Sequence, residues 1–82
     1  MKATVLVRLK REVLDPQGDA VQRALGSLGF DGVREVRIGK LIEIDLGPAA
    51  RPGPELTARL AKMSDALLAN PVIEDYEVSV SE

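Results

Sequence analysis

The stretch Val33–Leu46, VREVRIGKLIEIDL, decides the fold of this chain. Its apolar side chains alternate with charged ones and several are β-branched, a pattern typical of a strand with one buried face. In one continuous strand the apolar residues share a face, and they are Val36, Ile38, Ile42, Ile44 and Leu46. We therefore predict one long strand over residues 33–46, kinked or bulged at Gly39.

A two-residue hairpin at Gly39-Lys40 is the alternative for the same stretch. It would place Ile42 and Ile44 on the face opposite Val36 and Ile38, because residue 37 would then pair with residue 42. The alternation favours the single strand. The hairpin would change the order of elements to βαββαβ, the ferredoxin-like arrangement.

A strand and a helix precede this stretch. Residues 2–9 alternate as a strand with its odd-numbered side chains inward. Asp15-Pro16 is a helix start, because Asp accepts a bond from a free amide and Pro loses nothing in the first turn. Gly29 ends this helix, and Gly18 in its first turn suggests that another part of the chain approaches closely.

A second helix and a last strand follow a loop rich in Gly and Pro, residues 47–54. The apolar stripe of this helix is Leu56, Leu60, Met63 and Leu67. Asn70-Pro71 ends the helix, because the residue before proline is displaced from the α region. The last strand is predicted over Val72–Val80, and its Glu74-Asp75 pair reads as a solvated strand edge.

The predicted fold is a single α+β domain over residues 1–82, with the order β-α-long β-α-β. Both helices are expected on one face of a small, largely antiparallel sheet, which makes two layers. Leu6, Leu41 and Ile73 are apolar on the other face, so we expect a second copy to cover them in a dimer or a higher oligomer.

Composition excludes several classes of function. The chain has no cysteine and no histidine, which removes thiol nucleophiles, imidazole acid/base work and the usual zinc sites. With 11 basic and 13 acidic residues and few aromatic ones, it lacks the pattern of a nucleic-acid-binding protein. No apolar run approaches the roughly 20 residues that span a bilayer, so the expected location is the cytoplasm. We predict no catalytic, cofactor or metal site in this chain.

Three motifs carry a resemblance that covers nearly the whole chain. They are VLDPQG at residues 13–18, VRIGK at 36–40 and LLANPVIEDY at 67–76. In this order and at these spacings, the chain resembles the PurS subunit of phosphoribosylformylglycinamidine (FGAM) synthase. The resemblance implies a non-catalytic subunit in purine biosynthesis, within an ATP-dependent ligase that amidates formylglycinamide ribonucleotide (FGAR) with nitrogen from glutamine.

The same resemblance implies partners and contact residues. A PurS dimer would join the glutaminase subunit PurQ to the synthetase subunit PurL and assist the transfer of ammonia, with ATP and Mg²⁺ held by PurL. The matching positions, expected to be structural or partner contacts, are Asp15, Gln17, Gly18, Arg37, Gly39, Lys40, Asn70 and Pro71. Lys40 is unusual among them because a charge on an apolar face needs a carboxylate or solvent nearby.

Two other classes of function remain as alternatives. A small metabolite-binding regulatory domain of the ACT or PII type would share the ferredoxin-like order βαββαβ. A minimal enzyme would have to act through carboxylates, but the adjacent Glu74 and Asp75 point to opposite faces of a strand and cannot act on one bond together.

Overall fold

The computed structural model describes residues 1–81 and has the order of elements β-α-β-α-β. The elements are β1 (Lys2–Leu9), α1 (Pro16–Ser27), β2 (Gly39–Asp45), α2 (Pro54–Met63) and β3 (Glu74–Ser81), with a π-helical turn over Ser64–Leu68 directly after α2. The predicted α+β class and order are confirmed, and the ferredoxin-like alternative is wrong.

The three strands form one antiparallel sheet in the order β2-β1-β3. In the central strand β1, Val5 lies opposite Ile42 of β2 and Val78 of β3. The odd-numbered residues of β1 face inward as predicted, because Ala3, Val5 and Val7 are buried. Their partners on the outer strands therefore belong to the same face of the sheet.

The core lies between this face and α2. Leu56 and Leu60 of α2 pack against Ala3, and Ala69 after the π-helical turn packs against Val5 and Val7. The Tyr76 hydroxyl donates a hydrogen bond to the Ala61 carbonyl (3.3 Å), which fastens β3 to α2. Burial, followed by the nearby Asp65, raises the pKa of the Tyr76 hydroxyl above its ordinary value.

The predicted long strand is wrong in its first half. Strand β2 begins at Gly39 and pairs with β1 without interruption as far as Asp45, so it has no bulge. The hairpin is also wrong, because Lys40 and Leu41 both pair with β1. Residues 33–38 lie outside the sheet, and Ile38 donates its backbone N–H to the Asp15 side chain (2.7 Å) instead of to a neighbouring strand.

Helix α1 has the predicted ends. Asp15 accepts from the Gly18 amide (2.9 Å) as N-cap, with Pro16 in the first turn. At the other end Gly29 has φ 93°, and the Phe30 amide donates to the Leu25 carbonyl (3.0 Å), which is the bond of a Schellman motif. The close approach predicted at Gly18 is also confirmed: a Cβ there would lie 1.9 Å from the Val36 carbonyl oxygen.

Helix α1 does not cover the sheet, contrary to the prediction. Gly18 is its only buried residue, and α1 makes no extensive contact with any strand or with α2. It packs against the returning segment instead, where the Gln22 side chain donates to the carbonyls of Val33 (3.0 Å) and Arg34 (3.2 Å). We call residues 16–38 the arm.

The arm makes the molecule long and thin. The radius of gyration is 16.3 Å and the dimensions are 50 × 26 × 15 Å, whereas a compact domain of this length has a radius of gyration of about 12 Å. An eight-residue strand spans only about 27 Å. The sheet therefore cannot account for the full length, and the arm extends beyond it.

Two further predictions fail near the second helix. Leu67 was predicted to be buried but is 83% exposed. The Ala69 amide donates to the Ser64 carbonyl (2.9 Å) and closes a π-helical turn. Such a turn includes one residue more than an α turn, so it shifts the buried stripe. Ser64 and Ala69 take the buried positions instead. Strand β3 begins at Glu74, so the predicted first residue, Val72, lies in the preceding turn and is exposed.

Gly18→Ala should destabilise the protein, because the added Cβ would meet backbone that cannot move aside cheaply. We expect a loss of about 1–3 kcal/mol in the free energy of unfolding, measured by chemical denaturation. The matched control is Gly26→Ala in the same helix, where a Cβ has nothing within 4 Å and should be neutral or stabilising by up to about 1 kcal/mol. Equal effects of the two substitutions would contradict the close approach.

Candidate functional site

Most of the residues predicted from the resemblance meet where the arm joins the sheet. Asp15, Gln17, Gly39 and Lys40 line one cavity of about 220 Å³, together with Glu74. Gly18 lies just behind it, through its bond to Asp15. We call this region the junction.

Asp15 joins the two parts of the chain that cross the junction. Its Oδ1 accepts from the Gly18 amide (2.9 Å) and its Oδ2 accepts from the Ile38 amide (2.7 Å). The side chain is buried, and these two N–H donors, first Ile38 and then Gly18, hold the pKa of Asp15 below its ordinary value of 3.8. One carboxylate thus caps α1 and fixes the backbone just before β2.

Arg37 makes the second connection across the junction. Its Nη2 donates to the Lys10 carbonyl (2.8 Å), which joins the segment before β2 to the residue just after β1. Two residues after Arg37, Gly39 lies so close to β1 that a Cβ there would be 2.6 Å from the Val7 carbonyl oxygen. Arg37 and Gly39 therefore both have a structural role where the arm returns to the sheet.

Lys40 has the carboxylate that its place on the core face requires. Its Nζ lies 3.8 Å from Glu74 Oε2, and the lysine side chain is 62% exposed while that of Glu74 is 13% exposed. The amine therefore reaches both solvent and a carboxylate. Such a half-solvated pair contributes little to stability.

Asn70 and Pro71 form the turn that leads into β3. The Asn70 side-chain oxygen accepts from the Val72 backbone amide (3.1 Å), and the Asn70 backbone carbonyl accepts from the Glu74 backbone amide (2.7 Å). The Asn70 backbone amide in turn donates to Glu74 Oε1 (2.7 Å). Through Glu74 this turn is connected to Lys40, whereas Pro71 is exposed and does not line the cavity.

Glu74 is the functional-site residue that the sequence interpretation missed. It was assigned to a solvated strand edge, but its carboxylate accepts from Asn70 and pairs with Lys40. The alternation along β3 could have identified Glu74 as the partner of Lys40. Tyr76 and Val78 place the even-numbered side chains of β3 on the core face, where Lys40 needs a carboxylate.

The described part of the chain contains no group of three or more His, Cys, Asp or Glu side chains placed to hold a metal ion. Within residues 1–81, no helix combines the length and the apolar character needed to cross a membrane. The junction offers hydrogen-bonding groups and a charged pair, which suit contact with another molecule.

The chain matches known proteins over nearly its whole length. The family model described as PurS, phosphoribosylformylglycinamidine (FGAM) synthase, covers residues 2–82. The Bacillus subtilis subunit PurS is 47% identical over 81 residues, which are 99% of this chain and 93% of the relative. Its crystal structure superposes with a TM-score of 0.85, covering 99% of this chain and 98% of the other.

A solved structure of PurLQS from Thermotoga maritima contains a chain that is 31% identical. It superposes with a TM-score of 0.81 and covers 95% of this chain and 93% of the other.

The junction should give the protein a specific sensitivity to acid. Because the pKa of Asp15 is lower in the folded chain than in the unfolded one, Asp15 stabilises the fold fully above about pH 4 and loses this contribution as the pH falls through the folded-state pKa. Asp15→Asn should therefore be less stable than wild type at pH 7, and the difference should shrink towards pH 2. Chemical denaturation across this range measures it.

Asp19→Asn is the control for this measurement, because Asp19 is an exposed carboxylate in the same first turn of α1. Its difference from wild type should be small and should change little with pH. If Asp15→Asn follows the pH dependence of wild type throughout, the two bonds to Asp15 do not lower its pKa.

Proposed function

Because the chain belongs to the PurS family of FGAM synthase subunits, we propose that it is the non-catalytic subunit that joins the glutaminase PurQ to the synthetase PurL. The complex converts FGAR to FGAM in purine biosynthesis with ATP and glutamine. In this proposal PurL holds ATP and Mg²⁺, PurQ releases ammonia, and this chain assists ammonia transfer between them in the cytoplasm. The PurLQS structure from Thermotoga maritima supports these partners.

The observation that carries the proposal is the extended shape of the chain. The arm gives the molecule a length of 50 Å at a thickness of only 15 Å, and it extends beyond the sheet, where another chain can reach it. Apolar side chains on the arm are exposed: Val21 by 38%, Leu28 by 73% and Phe30 by 60%. An element that buries so little of its own apolar surface is stabilised by association.

The sequence supports a role without chemistry of its own. Since the chain contains no cysteine and no histidine, the usual nucleophile and base of glutamine hydrolysis come from another subunit. The regulatory alternative of the ACT or PII type rested on the order βαββαβ, and the observed order is β-α-β-α-β. The observed order contradicts that alternative.

Self-association is the second part of the proposal. The face of the sheet opposite α2 carries Leu6, 39% exposed, beside its β2 neighbour Leu41, 60% exposed. Ile73, just before β3, is 39% exposed. A second copy of the chain is the occupant that we propose for this face, because a thin core gains from added burial.

Sedimentation velocity at micromolar concentration tests self-association. The wild-type chain should sediment as a dimer or larger, and Leu6→Glu should weaken association by roughly tenfold or more through loss of apolar burial. Leu67→Glu is the control, because this equally apolar residue is exposed beside α2, away from that face. A monomeric wild-type protein would reject this part of the proposal.

A reconstituted assay tests the role in the complex. Alone, the chain should hydrolyse neither glutamine nor ATP. Added to PurQ and PurL, it should increase glutamine-dependent amidation of FGAR. Lys40→Glu should lower this coupled rate by roughly tenfold, because it reverses a half-exposed charge at the junction.

Ammonium salt as nitrogen donor provides the internal control, because ammonia from solution does not require a docked glutaminase. Lys40→Glu should leave that reaction largely intact, and Lys62→Glu on the exposed side of α2 should leave both reactions intact. If PurQ and PurL couple equally well without this chain, the bridging role is rejected.

A further inference from the structure

The core of the protein is built without the arm. The buried residues of both core clusters, and the apolar side chains packed against them, come from residues 1–7, 42–46 and 56–78. In the described part of the chain, no residue between 16 and 38 belongs to either cluster. Loss of the arm would therefore leave the apolar contacts between the sheet and α2 in place.

The arm is joined to the rest of the described chain at its base. Three side-chain hydrogen bonds make this connection. Asp15 accepts from the amides of Gly18 (2.9 Å) and Ile38 (2.7 Å), and Arg37 donates to the Lys10 carbonyl (2.8 Å). Asp15 takes part in two of the three, so its carboxylate is the principal contact between the arm and the sheet.

Contacts within the arm join its two halves. The Gln22 side chain of α1 donates to the carbonyls of Val33 (3.0 Å) and Arg34 (3.2 Å). The backbone of Gly18 also lies against Val36, where an added Cβ would be 1.9 Å from the carbonyl oxygen. Each half thus supplies the partners of the other, and two halves connected in this way open together.

Helix α1 would not remain helical once the arm is released. It has 12 residues, two of which are the glycines Gly18 and Gly26. Isolated helices shorter than about 12–15 residues are marginal in water, and glycine lowers helix propensity further. Strands β1 and β2 would stay paired from Lys2 to Arg8, because the entropy cost of closing the connecting loop grows only slowly with its length.

We propose that the arm unfolds and refolds as one unit while the sheet and α2 stay folded, and that the Asp15 carboxylate holds it closed. The fold therefore contains a conformational switch, with a closed arm and an open arm on the same sheet. The opening is a property of this chain alone, so it goes beyond the proposed function and does not depend on PurQ or PurL.

Native-state hydrogen exchange of the full chain, followed by NMR at pH 7, tests the proposal. The amides of α1 and of Ile38 should exchange roughly 100-fold faster than those of β1, because they require only the local opening. Their exchange should respond weakly to low concentrations of denaturant, since opening the arm exposes little buried surface. Exchange in β1 requires global unfolding and should respond steeply.

A substitution in the core separates the two events. Ile44 of β2 packs against both core clusters. Ile44→Val weakens the sheet equally whether the arm is closed or open, so it should leave exchange in the arm unchanged. Exchange in β1 should rise roughly threefold or more, because global unfolding becomes easier.

A substitution at the base of the arm has a different signature. Asp15→Asn keeps the size of the side chain but loses an acceptor for Gly18 or Ile38, so it weakens only the closed state. The arm is also open in the unfolded chain. Exchange in the arm and in β1 should therefore rise by the same factor, roughly tenfold. Asp19→Asn is the control, because this exposed carboxylate should change neither rate.

Three outcomes would overturn the proposal. If Ile44→Val accelerates the arm and β1 equally, the arm unfolds only with the whole chain. If Asp15→Asn accelerates β1 but not the arm, the bonds to Asp15 persist in the opening and do not hold the arm closed. Slower exchange of the arm at higher protein concentration would show that a second copy holds it closed.

Discussion

The two hydrogen bonds to the Asp15 carboxylate determine how the arm and the sheet fit together. One oxygen accepts from Gly18 at 2.9 Å and caps α1, and the other accepts from Ile38 at 2.7 Å, directly before β2. Because the Ile38 amide is bound by a side chain, it is not available to a strand, and the ladder begins one residue later. The same carboxylate brings the start of α1 against Val36, where only glycine fits at position 18. The Asp15 carboxylate thus fixes the start of α1, the position of the segment that leads back to the sheet, and the residue at which β2 begins.

The sheet, in contrast, is stabilised by ordinary burial. Val5, Val7 and Leu60 are almost completely buried, and they come from the central strand and the single helix that covers it. The arm contributes one buried residue from α1, Gly18, and a glycine adds no apolar side chain to the core. Within the chain, the stability of the arm therefore depends mainly on hydrogen bonds. A part of the chain stabilised in this way is the part that is expected to respond to partners.

The sequence predicted those features that depend on local chemistry. The cap at Asp15, the close approach at Gly18 and the left-handed Gly29 each follow from what one residue type permits, and all three are confirmed. The long strand failed because its pattern continues through residues 33–38, where the partner of the extended backbone is α1 and not a strand. The prediction that Leu67 is buried was wrong because a π-helical turn shifts the apolar stripe by one residue. The spacing rules for α-helices do not include such a shift.

The candidate site was harder to predict than the fold because it is made by pairs of distant residues. The resemblance identified Asp15, Arg37 and Lys40, and the structure gives each a partner far away in the sequence. No local pattern marks Glu74 as the partner of Lys40, since only the register of β3 places it on the core face. Such pairs need a fixed backbone, and in this chain the bonds from Ile38 to Asp15 and from Arg37 to Lys10 hold the segment before β2 in place.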